Sequence, residues 1–272
     1  MTPTNALRTL AWLAPLVAVI ATGCTPLRTL YPNALWDDRL ERGYTLVFPG
    51  IEGADPLNGN IARGIDWAGV PTAIEVVDWT TGIPPLLLAH LRWDWRNERQ
   101  AARITQKIAA YQAEHPGKPV NLVGHSGGGA MCLLVLEQMP EGTQIDSVVL
   151  LAAAISPRYE IEPALAKTRR GIWNFYSPLD ATLLLAGTTI AGTVDGRHTP
   201  AAGAIGFRDD DRRLVVLPKL QQIAYTPEMA LRGHFGNHFG CCDPRFVQKY
   251  VGPVLSDQKA SESIAGTADV PR

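Results

Sequence analysis

The chain has little net charge, few cysteines and no metal-binding motif. Its formal net charge is −1 over 272 residues, whereas a protein that binds nucleic acid needs a basic surface. We therefore expect no nucleic-acid partner. Neither C-x-x-C nor H-E-x-x-H occurs among the 4 cysteines and 6 histidines, so their spacing predicts no metal site, and we expect no cofactor. Heptads and internal repeats are also absent, which excludes coiled coils and repeat arrays.

The first 23 residues have the pattern of a secretory signal. Arg8 is followed by an uncharged apolar stretch at 10–21 and by small residues before Cys24. The stretch is too short for a comfortable membrane span. Small residues directly before a cysteine resemble a bacterial lipobox, in which the cysteine is lipidated, although Ala21 stands where leucine is usual. An ordinary cleaved signal peptide and a retained anchor helix are the alternatives.

The lipobox resemblance implies an exported protein, anchored to the membrane on its periplasmic or cell-surface side by a lipid on Cys24. The expected organisation is a signal peptide at 1–23, a tether at 24–42, one domain at 43–255 and a polar, disordered tail at 256–272. Export also permits disulfides. Cys241 and Cys242 are adjacent, however, and adjacent cysteines bridge only with strain.

Strand patterns alternate with helix patterns along the predicted domain. Apolar runs predict strands at 44–48, 73–79, 119–123, 147–152, 171–176 and 219–225, and helical spacing predicts helices at 58–69, 97–114 and 129–139. Alternation of this kind predicts βαβ units, a mainly parallel sheet and helices on both of its faces. Asn97, with Gln100, is predicted to cap the longest helix. Asp243 and Pro244 are predicted to open a closing helix.

The five residues from Gly124 to Gly128 read G-H-S-G-G and fit the pattern G-x-S-x-G. A predicted strand leads into them and a predicted helix leads out. A turn that exposes Ser126 needs strained backbone angles, and side chains at Gly124 and Gly128 would clash with neighbouring backbone. The N–H groups that open the helix favour negative charge beside the serine. By chance alone, the same pattern also occurs in glycine-rich loops.

Strand, turn and helix around this serine resemble the nucleophile elbow of the α/β-hydrolase superfamily, of serine esterase or lipase type. The resemblance covers residues 44–255. It implies an α/β-hydrolase fold, with a mainly parallel central sheet, helices on both faces and no large cap domain. In that family the chain order of the triad is serine, acid, histidine.

The resemblance assigns Ser126 as nucleophile, Asp180 as acid and His238 as base. Asp180 follows a predicted strand, at the edge where α/β sites assemble, although it could instead cap a following helix. His238 lies five residues before Asp243, as a catalytic histidine does before the final helix. His234 is the alternative base, because His-Phe-Gly occurs twice in this loop.

The remaining assignments concern the oxyanion and the other histidines. The backbone N–H groups of Ile51 and Gly127 are predicted to form the oxyanion hole, with a plain strand-to-loop turn at Ile51 as the alternative. His125 adjoins the nucleophile, but this position of an elbow points elsewhere. Surface positions are predicted for the other histidines, His90, His115 and His198.

The resemblance implies cleavage of a carboxylic ester through an acyl-enzyme. The substrate is expected to be a small-molecule or lipid-like ester. Two alternatives stay open: an acyltransferase that uses the same triad, and a catalytically silent binding protein that keeps the fold.

Overall fold

A computed structural model describes residues 37–83, 86, 90–180 and 193–256. The predicted signal peptide, Cys24 and nearly all of the predicted tail lie outside these residues. Six parallel strands form one sheet in the order β2-β1-β3-β4-β5-β6. They are β1 Tyr44–Phe48, β2 Ala73–Val76, β3 Val120–His125, β4 Ile145–Leu151, β5 Thr168–Tyr176 and β6 Leu220–Ala224.

The helices fall into two groups that cover the sheet. Their bounds are α1 Asp37–Leu40, α2 Pro56–Trp67, α3 Asp94–Glu114, α4 Gly127–Gln138, α5 Glu162–Ala166 and α6 Ala202–Ile205. Short 3₁₀ turns follow β6 at Pro227–Arg232 and Gly240–Cys242. The closing helix then runs through Pro244–Phe246, a π-helical turn at Val247–Val251, and Gly252–Leu255.

Strand order decides on which face each helix lies. The chain moves from β1 outwards to β2 and then back past β1 to β3, so right-handed crossovers place α2 and α3 on opposite faces. α2 packs on the closing helix, where a Cβ on Gly64 would stand 2.6 Å from the Cβ of Val247. α3 packs on α4.

The burial of the central strands agrees with helices on both faces of the sheet. Every residue of β1, β3 and β4 is buried, as continuous apolar strands between two helical layers require. The parallel sheet, the two helical layers and the serine turn after β3 confirm the predicted α/β-hydrolase fold. Among the described residues, none of the helices has the length and apolar character needed to cross a bilayer.

One predicted helix start is wrong and another is confirmed. α3 begins at Asp94, one turn earlier than predicted, and Asn97 does not cap it. Asn97 is buried, and its Nδ2 donates to the carbonyl of His90 over 2.7 Å. That partner lies in the preceding loop, so the pattern of the helix itself does not reveal it. Asp243 does cap the closing helix, accepting from the N–H of Arg245.

Candidate active site

Ser126 lies at the sharp turn between β3 and α4, at the carboxyl edge of the sheet. Its φ of 52° and ψ of −119° lie in a region that side chains disfavour. The turn is held because the N–H of Ser126 donates to Leu151, and its carbonyl accepts from Gly129 and Ala154. Neighbouring segments thus fix a strained serine in place.

The flanking glycines are required by close backbone contacts. A Cβ on Gly124 would stand 2.3 Å from the carbonyl oxygen of Gly128. A Cβ on Gly128 would stand 2.2 Å from the carbonyl oxygen of Phe48. Neither gap admits a methyl group, so the elbow packs directly against the end of β1.

The two segments predicted to form the oxyanion hole are in contact. A Cβ on Gly127 would stand 2.9 Å from Cγ2 of Ile51. Gly127 is the first residue of α4, so its N–H has no partner within the helix. The structure therefore brings the turn after β1 against the start of α4, beside Ser126.

Asp180 and His238 are joined by a short hydrogen bond. The Nδ1 of His238 lies 2.7 Å from Oδ2 of Asp180, and both residues are buried. Their loops are also tied together, because the hydroxyl of Ser177 donates to the carbonyl of Gly236 over 2.6 Å. A carboxylate on Nδ1 fixes the ring and leaves Nε2 as the nitrogen that can exchange a proton.

His234 has different surroundings. Its ring packs edge-on against Tyr225 and Phe246, and its Nδ1 has no hydrogen-bond partner. Burial lowers its pKa. Of the two candidate bases, His238 is the one that is hydrogen-bonded to a carboxylate, that of Asp180. Its role as the general base stays a prediction.

His125, the residue before Ser126, is fully buried and contacts two other segments. Its Nε2 lies 3.1 Å from the carbonyl oxygen of His238, and its Nδ1 lies 3.5 Å from Oε1 of Glu52. Sequence reasoning placed this side chain away from the nucleophile but did not identify either contact. It also missed Glu52, which follows Ile51 in the turn after β1.

Glu52 and His125 shift each other's pKa. Burial alone would raise the pKa of Glu52, but the neighbouring His125 lowers it to about 2. Burial alone would lower the pKa of His125, but Cys241 and Glu52 raise it well above its usual value. Each group thus favours the charged form of the other, and their contact links the turn after β1 to the end of β3.

Cys241 approaches the same carbonyl group. Its Sγ lies 3.3 Å from the carbonyl oxygen of His238, so thiol and imidazole converge on one oxygen. Cys241 and Cys242 are buried and carry free thiols. The hydrogen bond from Cys242 lowers the pKa of Cys241, whereas burial raises that of Cys242.

The surface position predicted for His90 is wrong. His90 is buried, with Nδ1 3.1 Å from the carbonyl oxygen of Ile51 and Nε2 3.0 Å from the hydroxyl of Thr81. It thereby holds the turn that carries Ile51. Trp79 lies below this turn, fully buried, and its Nε1 donates to Pro49 over 2.7 Å. Neither contact leaves a signal in the local sequence.

Comparison with known proteins places the middle of the chain in a hydrolase context. Residues 91–187, about a third of the chain, match the family Hydrolase_4, described as serine aminopeptidase, S33. This segment contains Ser126 and Asp180 and ends before His238. None of the curated proteins matches the chain.

Several solved structures are similar to the chain at low identity. A dienelactone hydrolase-like promiscuous phosphotriesterase from metagenomic libraries is 15% identical, with a TM-score of 0.47 over 80% of this chain and 87% of its own. A predicted CIB-like hydrolase from Thermoplasma acidophilum is 12% identical, with a TM-score of 0.45 over 82% and 89%. The esterase domain of a Rhodothermus marinus protein is 16% identical, with a TM-score of 0.44 over 81% and 88%.

These likenesses carry no argument about substrate or mechanism. The chain thus has the fold of the α/β-hydrolases, and its residues 91–187 match one of their serine hydrolase families.

Proposed function

We propose that the protein is a serine hydrolase that cleaves a carboxylic ester through an acyl-enzyme. The observation that carries the proposal is the hydrogen bond between Asp180 and His238. The loop of His238 also contacts the elbow, because the carbonyl oxygen of His238 lies 3.1 Å from Nε2 of His125, the residue before Ser126. The match of residues 91–187 to a serine hydrolase family supports hydrolase chemistry in general.

In the proposed reaction, Ser126 Oγ attacks the ester carbonyl carbon while His238 Nε2 takes the hydroxyl proton. The carbonyl oxygen becomes an oxyanion that accepts from the N–H groups of Gly127 and Ile51, each worth about 3–4 kcal/mol in the transition state. The C–O bond then breaks, and His238 returns the proton to the departing alcohol. Water repeats the sequence on the acyl-enzyme and releases the acid.

Apolar side chains around the proposed site favour an apolar acyl group. Leu179 and Phe235 are mostly exposed, and Phe239 is partly exposed. Leu179 and Phe239 are next to Asp180 and His238 in the chain, and Phe235 precedes His238 by three residues. Single exposed apolar residues are common, but three beside one loop support a lipid-like substrate. Turnover of p-nitrophenyl esters should therefore rise with acyl chain length from acetate towards octanoate, and a preference for acetate would contradict this substrate class.

The family description also favours a second candidate, cleavage of an amide next to a free amino group. Aminoacyl p-nitroanilides test it directly against p-nitrophenyl esters on the same enzyme. Faster turnover of the anilides, corrected for their lower intrinsic reactivity, would replace the ester proposal with the peptidase one.

A glycerol or alcohol acceptor added to the ester assay separates hydrolysis from acyl transfer, because hydrolysis releases the free acid and acyl transfer forms a new ester.

A fluorophosphonate probe distinguishes an enzyme from a silent binding protein. We expect one covalent adduct on Ser126, blocked by prior ester substrate. Absence of labelling on folded protein would favour the binding protein.

We also propose that the chain is exported and held at the membrane by a lipid on Cys24. The support is the sequence pattern before Cys24 alone. Mass spectrometry of the N-terminal peptide tests it. An unmodified peptide that starts elsewhere rejects lipidation, and a Cys24→Ala protein that stays in the membrane fraction indicates an anchor helix.

A further inference from the structure

Three side chains with metal-ligating atoms meet next to the loop of His238. One nitrogen of His125 and the Sγ atoms of Cys241 and Cys242 lie within 4.8 Å of one another, and all three residues are buried. His125 ends β3, whereas both cysteines belong to the 3₁₀ turn Gly240–Cys242. Segments far apart in the chain therefore form this thiol–imidazole cluster, and spacing along the sequence could not reveal it.

The spacing of the cluster is close to that of a bound zinc ion. Zinc lies about 2.3 Å from sulfur and about 2.0–2.1 Å from nitrogen, so tetrahedral ligands stand roughly 3.8 Å apart or less. The present atoms, at most 4.8 Å apart, would have to approach by at most about 1.3 Å. His125 Nδ1 also makes no hydrogen bond although the residue is fully buried, and Glu52 Oε1 lies 3.5 Å away. Glu52 therefore contacts the imidazole beside the cluster and can orient it.

We propose that His125, Cys241 and Cys242 bind one thiophilic cation, of which Zn²⁺ is the representative ion. Two thiolates and an imidazole suit zinc, cadmium and copper(I), whereas Mg²⁺ and Ca²⁺ prefer oxygen ligands. Binding of a divalent ion releases to solvent every proton that the two thiols and the coordinating nitrogen of His125 carry, and the two thiolate charges balance the ion.

An ion at this site would also regulate the proposed active site. Cys241 Sγ and His125 Nε2 both approach the carbonyl oxygen of His238, at 3.3 and 3.1 Å. Coordination removes the thiol proton and redirects the imidazole, so the carbonyl loses donors that hold the His238 loop. Zinc binding therefore lowers the turnover of esters. This regulatory part rests on the proposed function, whereas ion binding does not.

The test measures binding separately from activity. The reduced, chelator-treated full-length chain, in a Cys24→Ser background, is titrated with Zn²⁺ against a chromophoric chelator. The same protein is titrated with Cd²⁺ while the near-ultraviolet thiolate-to-metal absorption is followed. We expect one bound ion per chain and, with Cd²⁺, an absorption intensity that corresponds to two coordinated thiolates.

Matched variants locate the site. Cys242→Ser should weaken binding by at least about 10-fold, because one of its ligands is lost. Cys132→Ser removes a buried free thiol outside the cluster and should leave stoichiometry and affinity unchanged. Circular dichroism checks that each variant folds.

The outcomes separate the two proposals. No bound ion, or a cadmium adduct without thiolate absorption, overturns the metal site even if Cys242→Ser does not fold. In that case the cluster serves only to hold the His238 carbonyl. Ion binding without any change in ester turnover overturns the regulatory part. A chain that binds one ion but hydrolyses no ester refutes the proposed function and leaves the metal site standing.

Discussion

Two polar networks in this molecule use similar groups at different depths. At the proposed active site, Glu52 pairs with His125, whose other nitrogen contacts the carbonyl of His238. At the β2 edge of the sheet, Glu75 accepts from the Tyr44 hydroxyl and pairs with Lys107. The basic partners differ in depth, because the side chain of His125 is fully buried and that of Lys107 is 43% exposed, whereas Glu52 and Glu75 are 23% and 14% exposed.

The two networks differ in whether water can take the place of the basic side chain. A solvated Lys107 can be exchanged for water at little cost, since exposed ion pairs contribute about 0–1 kcal/mol. A buried imidazole has no such substitute, and an unpaired buried group costs about 1–3 kcal/mol. The inner network also joins the three segments that carry Ile51, Ser126 and His238. We therefore expect the inner network to control turnover and the outer one to affect stability alone.

The largest effect should come from Ser126 itself. Ser126→Ala removes the nucleophile and should lower kcat on p-nitrophenyl esters by about 10⁴- to 10⁶-fold. The fold should persist, because the backbone bonds to Leu151, Gly129 and Ala154 do not involve the hydroxyl. Steady-state kinetics and circular dichroism measure the two quantities. Turnover near that of the wild type would remove Ser126 from the mechanism.

The two loop histidines should differ strongly. His238→Ala should lower kcat by about 10³-fold or more, because the general base and the partner of Asp180 are lost together. His234→Gln should lower kcat far less and mainly reduce the melting temperature, since His234 packs between Tyr225 and Phe246. Equal losses of kcat in both variants would contradict the assignment of His238.

A pair of glutamate variants tests the comparison of the two networks. Glu52→Ala should lower kcat by about 10- to 100-fold with little change in KM, because the His238 loop loses its support. Glu75→Ala should lower the melting temperature and leave kcat unchanged. Glu52→Gln keeps an acceptor for His125 and should recover part of the lost turnover. If both alanine variants lower kcat alike, the burial of the glutamate's partner does not separate the networks.

The pH dependence of the stability of the wild type and of Glu52→Gln tests whether the charged form of Glu52 stabilises the fold. The pKa of Glu52 is lowered from its ordinary value of 4.5 to about 2 in the folded chain. Its stabilisation is therefore present above about pH 4.5 and is lost as pH falls towards 2. Denaturant unfolding between those pH values should show a smaller loss of stability for Glu52→Gln than for the wild type. A parallel pH dependence would mean that the carboxylate is not paired.

The smallest effect should come from a charge that is near His238 in the chain but pairs with an exposed arginine. Asp243 caps the closing helix and pairs with Arg245, and its side chain is 23% exposed. Asp243→Ala should cost about 1 kcal/mol of unfolding free energy, the usual value of an N-cap. We expect kcat to stay within about two-fold of the wild type. A larger loss of kcat would show that proximity to His238 in the chain affects turnover more than the burial of the charge's partner does.

Features encoded by neighbouring residues could be predicted from the sequence. The apolar runs predicted the six strands, and their alternation with helical spacing predicted a parallel sheet. Asp243 followed by Pro244 predicted the start of the closing helix. G-x-S-x-G predicted the turn at Ser126, because the need for glycine at Gly124 arises from the backbone within that turn, although Gly128 is required by the end of β1. Periodicity, caps and turns depend on a few consecutive residues, so their signals are local.

Contacts between distant segments were decided only by the tertiary structure. Asn97 and His90 were misassigned because one partner of each is a buried backbone carbonyl in another segment. Glu52 and the thiols of Cys241 and Cys242 looked ordinary in the sequence, yet the fold brings them to His125. Which loop meets which depends on the paths of chain between the strands. Those paths follow from the packing of the whole domain, which no local pattern contains.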